Sequence, residues 1–183
     1  QPLFGDLPFN VTEENIQARV RGILNMAISN KYGNILLNTT NKSEMAVGYG
    51  TLYGDLCGGL CVLGDVYKTE VYELVKYINK DAEIIPQNSI SKPPSAELRP
   101  GQKDSDSLPE YKDLDPILYE YIEKRTDPQD IIAKGYDEAI VKRVLRLVNI
   151  NEFKRYQTAP VLRVSPKAFA MGRLMPIVAK YLS

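Results

Sequence analysis

The sequence predicts an α/β protein that is rich in helix and sparing with strand. Apolar residues recur at helical spacing along most of the chain, whereas one short apolar run, ILLNTT at 35–40, reads as a buried strand ending in polar residues. A Pro- and Ser-rich stretch at 86–112 fits neither pattern. A lone strand leaves both edges unpaired, so further strands are expected either hidden in the chain or upstream of Gln1.

The elements follow in order. From Thr12, taken as N-cap with Glu13 and Glu14 in the first turn, the residues Ile16, Val20, Ile23, Leu24, Ala27 and Ile28 trace one helical face. The same helix carries Asn15, Arg19 and Arg21. KYGN at 31–34 punctuates the chain before the strand, and KSEMAVGY at 42–49 forms a brief helix after it. A Gly-rich loop then runs to about residue 60. A second amphipathic helix is expected over 68–79, with Val71, Leu74, Val75 and Ile78 on one face. The prolines of 86–112 exclude regular structure there, and a loop of that length in a compact domain is functional or disordered. Helices are predicted over 114–123, over 127–134 with Asp127 as cap and Pro128 at the first position, and over 138–148. A last helix is expected after Ser165-Pro166.

Composition narrows the chemistry. Lys+Arg and Asp+Glu each number 23, so no overall field recruits nucleic acid or an acidic membrane, and any anion site is local. No apolar run approaches the roughly 20 residues that a spanning helix needs, and the expected location is the cytoplasm. The absence of histidine removes Ser-His-Asp and Cys-His schemes. Cys57 and Cys61, spaced CxxxC, lack partners for a zinc site and read as reduced structural thiols. The chain starts at Gln1 without Met, which fits a processed, trimmed or partial polypeptide.

Several residues suit a phosphate-bearing ligand. Thr39 and Thr40 stand at the end of the strand, where open α/β sheets bind ligands. Glu44 is an anion able to hold Mg²⁺ together with nucleotide phosphates. Lys68 and Lys154 are cations near helix ends, and Ser95 in PPSAEL sits in a rigid turn. Each has a plainer reading as a cap, a solvated helix residue or a surface charge. The Gly-rich loop lacks both GK[ST] and GxGxxG. Spacing alone therefore leads to a candidate nucleotide site and no further.

A resemblance extends this reading. NIQARVRG at 15–22, LLNTTNKSEMAVGYGTLYGD at 36–55, VYKTEVYEL at 66–74, the KPPSAEL, PGQ and D pattern within 92–104, and EFKR at 152–155 resemble, in the same order, the NAD synthetase family. The likeness is strongest to the synthetase domain of its glutamine-dependent form. It implies a Rossmann-like, adenine nucleotide alpha-hydrolase-like fold, of which residues 1–183 would be a helix-rich C-terminal portion. It also implies an ATP- and Mg²⁺-dependent ligase of NAD biosynthesis. In such an enzyme the deamido-NAD carboxylate attacks the α-phosphate of ATP, pyrophosphate leaves, and ammonia, drawn from glutamine, then displaces AMP.

Carried over by position, Thr39, Lys68 and Ser95 resemble ATP contacts, and Asn15, Arg19, Glu44 and Lys154 resemble deamido-NAD contacts, with Glu44 also a Mg²⁺ candidate. Ammonia-dependent members carry a lysine at Leu52 and an aspartate at Gly59, so those contacts do not transfer. The family's Ser-Gly-Gly-x-Asp-Ser loop and its glutaminase domain have no counterpart here. The family also implies a homodimer with the first helix near the interface. The competing readings are a non-catalytic binding or dimerisation piece, and another ATP pyrophosphatase-type amidotransferase.

Overall fold

The computed structural model describes residues 3–169 and 172–178. Helix α1 (Val11–Tyr32) opens the structure, followed by β1 (Leu37–Asn38), α2 (Lys42–Val47), β2 (Leu60–Cys61) and α3 (Lys68–Ile78). A short α4 (Gln87–Ser91) and one turn of 3₁₀ helix at Asp104–Asp106 lie in the Pro-rich stretch expected to be wholly irregular. The prolines bound these pieces and do not interrupt them. Then come α5 (Tyr111–Ile122), α6 (Pro128–Ala133), α7 (Glu138–Ile150) and α8 (Glu152–Arg155).

Two further expectations are corrected. The N-cap of α1 is Asn10, whose side chain accepts the Thr12 N–H while Glu13 bonds back to the Asn10 N–H, so Thr12 lies inside the helix. No helix follows Ser165-Pro166 among the described residues, where the chain runs as turns and extended pieces.

The core forms where α5 packs against α7, α2, α3 and α6. Leu114, Ile117, Leu118 and Ile122 of α5 meet Val141, Val144, Leu145 and Val148 of α7 and Met45, Ala46 and Val47 of α2, all buried. The i, i+3, i+4 spacing of the α5 and α7 residues is the reason both helices were legible from sequence.

β1 and β2 pair in parallel, Leu37 with Leu60 and Asn38 with Cys61. Cys61 also bridges Val161 in parallel, with Cys61 N–H donating to Pro160 O at 2.8 Å and Leu162 N–H to Cys61 O at 3.0 Å. β2 is thus the hidden strand, flanked on both sides.

Helix α1 stands apart from this core. Only Ala18 and Gly22 are buried, and the apolar stripe of Ile16, Val20, Ile23, Leu24 and Ile28 is exposed. α1 docks through small residues: a Cβ on Gly22 would come within 3.1 Å of the Tyr53 and Gly54 carbonyls, and one on Gly54 within 3.0 Å of Ala18. No helix among the described residues is long and apolar enough to cross a membrane.

Candidate functional site

The turn after β1 is fixed by Asn38. Its buried side chain accepts the Thr40 N–H at 2.8 Å and donates to the Asp55 carbonyl at 3.1 Å, joining the strand end to the Gly-rich loop. Thr39 stays exposed at this corner. Asn41 then caps α2 reciprocally with Glu44, the Asn41 N–H donating to Glu44 Oε2 and the Glu44 N–H to Asn41 Oδ1, both at 3.0 Å. Glu44 therefore has a structural bond on Oε2 and keeps Oε1 for other partners.

The first turn of α3 is held from outside. Ser43 Oγ accepts the Lys68 N–H at 2.9 Å and donates to Asp115 Oδ1 at 2.6 Å, and Asp115 Oδ2 accepts the N–H and hydroxyl of Thr69. These bonds lock α2, α3 and α5 together and place Lys68 across from Glu44.

Around this frame lies an open cavity of about 800 Å³. Asn15, Thr39, Glu44, Lys68, Ser95 and Lys154 all line it, although they come from five separate stretches of chain. Arg19 does not: it is exposed, and its Nε donates to the Leu52 carbonyl at 3.2 Å. Asn15 Oδ1 accepts the Thr51 hydroxyl at 2.8 Å, and Thr51 N–H donates to Asp55 Oδ1 at 2.7 Å, so one wall is an ordered chain of polar groups.

The opposite end of α2 is closed by α8 and the residue before it. Arg155 donates to the carbonyls of Met45 and Ala46, Asn151 Nδ2 to Val47, and Lys154 Nζ to Gly48 and Gly50 at 2.7 and 2.9 Å. The carbonyls of Met45, Ala46 and Val47 are among those a helix end leaves open, and those of Gly48 and Gly50 lie just beyond it. The EFKR segment is thus the C-cap of α2 as well as cavity wall, a role that its spacing alone did not reveal. Arg155 is buried and paired with Glu152 at 2.6 Å.

The electrostatics follow burial. Desolvation raises the Glu44 carboxyl above its ordinary value, and Asp104 adds to this, while Asn41 and Lys68 oppose it. Burial lowers the Lys154 ammonium, with Asp55 the one opposing charge. The Lys68 ammonium lies over the rings of Tyr72 and Tyr111 at 5.8 and 5.7 Å, within the reach of cation–π attraction. Behind the cavity, Lys42 is wholly buried, donating to Asp65 at 2.7 Å, to Ser165 at 2.9 Å and to Glu123. Nothing in the sequence distinguished it from a solvated lysine. Both thiols are free, and burial holds both above the ordinary range, Cys61 at about 11, as befits structural cysteines.

No group of three metal-ligating side chains occurs among the described residues. A single carboxylate with a free oxygen suits Mg²⁺, which commonly takes one or two protein carboxylates and completes its shell with phosphates and water. Glu44 meets that condition.

Residues 2–158 match the family model described as NAD synthase. The chain is 58% identical over 179 residues to the glutamine-dependent NAD(+) synthetase of Acinetobacter baylyi, covering 97% of this chain and 33% of that protein. The solved glutamine-dependent NAD(+) synthetase from Cytophaga hutchinsonii superposes with a TM-score of 0.68 at 26% identity, over 92% of this chain and 28% of that one. The NMN synthetase from Francisella tularensis superposes with a TM-score of 0.66 at 27% identity, over 87% and 58%. The chain spans about a third of the length of the curated relatives it matches.

Proposed function

The chain belongs to the NAD synthase family, and from that premise we propose that it forms the substrate wall of a cytoplasmic, glutamine-dependent NAD(+) synthetase. The observation that carries this reading is the meeting of Asn15, Thr39, Glu44, Lys68, Ser95 and Lys154 around one cavity. The reaction joins ammonia to the carboxylate of deamido-NAD at the expense of ATP. The carboxylate oxygen attacks the ATP α-phosphorus, the bond to pyrophosphate breaks, and ammonia then adds to the activated carbonyl, loses a proton and displaces AMP.

In this scheme Lys68 and the Ser95 and Thr39 hydroxyls face the phosphates of ATP. Cations and fixed donors aimed at phosphate oxygens stabilise the charge that builds in transfer. Asn15 and Lys154 face deamido-NAD, held in place by their bonds to Thr51 and to the Gly48–Gly50 carbonyls. Glu44 would hold Mg²⁺, which when bound neutralises phosphate charge. Arg19, on the exposed side of α1, would reach a ligand only outside this cavity. The intact enzyme is proposed to be a homodimer, with the exposed stripe of α1 at the contact.

The test is pyrophosphate release from ATP, Mg²⁺ and deamido-NAD by the full-length protein carrying this chain, with NAD measured as product. Release without formation of NAD would redirect the reading to another amidotransferase. The 183-residue chain alone is expected to be inactive, because it has no counterpart of the Ser-Gly-Gly-x-Asp-Ser loop.

A further inference from the structure

The stretch from 81 to 110 lines the cavity with Ser95, Asp104 and several of their neighbours, yet only two of its residues, Asp104 and Leu108, are buried. Asp104, 5% exposed, ties two parts of the site together. Its backbone N–H donates to the Pro94 carbonyl at 2.9 Å, directly before Ser95. Its Oδ2 accepts the Tyr111 hydroxyl at 2.8 Å from the first turn of α5. Its Oδ1 is buried without a hydrogen-bond partner, as is the hydroxyl of Tyr49, just beyond α2.

A carboxylate is a poor direct partner for a phosphate, since like charges repel. What Asp104 supplies is a tie between the Pro94–Ser95 segment and α5. The Ser95 hydroxyl oxygen accepts the Glu97 N–H at 3.1 Å, which leaves its proton free to donate. We propose that Asp104 is a positioning residue that holds Ser95 at the cavity and acts through the Pro94–Ser95 segment. This rests on the proposed ATP site, to which Ser95 belongs.

Asparagine at this position keeps an acceptor for the Tyr111 hydroxyl and removes the charge, whereas alanine removes both. In the full-length protein, Asp104→Ala is expected to raise KM for ATP by about tenfold, the loss of one hydrogen bond, with kcat changed far less. It should also speed amide hydrogen exchange across 94–104 by about the same factor. Asp104→Asn should restore both quantities to near the wild-type values. Tyr111→Phe, which removes only the hydroxyl, should reproduce the exchange effect at smaller size and guards against an alanine variant that fails to fold. An asparagine variant as impaired as the alanine one would overturn the proposal in favour of a role for the charge itself, such as cation binding. Unchanged exchange in the alanine and phenylalanine variants would overturn it outright. If the wild-type protein makes no NAD, the functional reading fails, and the exchange measurement still decides the role of Asp104.

Discussion

The amide of Asn151 occupies the space where a side chain on Gly48 would begin: a Cβ there would lie 2.1 Å from Asn151 Cγ and 2.3 Å from its Oδ1. Gly48 also ends α2 in the left-handed region, with φ 70°. Gly48→Ala is therefore expected to destabilise the protein by roughly 2–4 kcal/mol, combining left-handed strain with displacement of the Asn151 cap. Denaturant melts of Gly48→Ala, Asn151→Ala and the double variant check this. The double variant should cost less than the sum, because removing the amide makes room for the methyl.

Lys154 serves both structure and site. Lys154→Ala loses the bonds to the Gly48 and Gly50 carbonyls together with a cavity-facing cation. The expected result is a fall of roughly ten- to a hundredfold in kcat/KM for deamido-NAD. A loss of about 1–3 kcal/mol in stability should accompany it. Steady-state kinetics paired with a thermal melt separate the two effects, and a stability loss with unchanged kinetics would confine Lys154 to capping.

Glu44 sets a pH dependence whose two parts run in opposite directions. Burial raises its carboxyl above the ordinary 4.5, so as pH falls through the raised value the carboxylate is lost and with it any hold on a cation. The acid limb of kcat/KM should lie above the ordinary carboxylate range and reflect this group. Between 4.5 and the raised value the folded state binds the extra proton, so Glu44 contributes less stability as pH rises through that window. Glu44→Gln should thus lower activity at neutral pH without lowering the melting temperature. A melting temperature that falls together with activity would show a charge needed for folding.

Lys42 is expected to be the most costly of the buried charges to remove. Lys42→Met leaves Asp65 and Glu123 without their shared cation and should cost about 3–5 kcal/mol. Burial opposes ionisation of Asp65, but the bonds from Lys42, Ser165 and Val164 outweigh it and hold the carboxyl below its ordinary 3.8. Its share of stability is complete above 3.8 and is lost as pH falls through the lowered value. Acid unfolding of the wild type against Asp65→Asn measures that share.

Legibility from sequence followed periodicity and chemistry at short range. The α5 and α7 stripes and the Asp127-Pro128 start of α6 were readable because spacing and caps act within a few residues. The strand at Leu60–Cys61 was hidden, since CGGLCVLG offers neither alternation nor a long apolar run, and its two partners lie far away in sequence. The stripe on α1 was read correctly as helical, but periodicity does not say what covers a face. Of the residues that line the cavity, Thr39, Glu44, Lys68, Ser95 and Lys154 are legible as phosphate-ligand candidates from residue type and local position, Asn15 only through family likeness, and their meeting at one cavity from neither. Asp104, Lys42 and Arg155 were missed as structural anchors because their partners lie in other elements, and composition cannot distinguish a buried ion from a solvated one.

The cap on α2 has a consequence for how the chain acquires its structure over time. The carbonyls of Met45, Ala46, Val47, Gly48 and Gly50 receive donors from Asn151, Lys154 and Arg155, between 104 and 110 residues later. At roughly 5–20 residues per second, a ribosome needs on the order of ten seconds to supply them. During that interval α2, too short to persist alone in water, has only the local bonds from the Gly48 and Tyr49 N–H groups to the Glu44 carbonyl to close its last turn. Pairing across so large a separation must first meet the entropy of closing the intervening loop. The Lys154 side of the cavity is therefore expected to close only after the α7–α8 segment has been made and docks against α2.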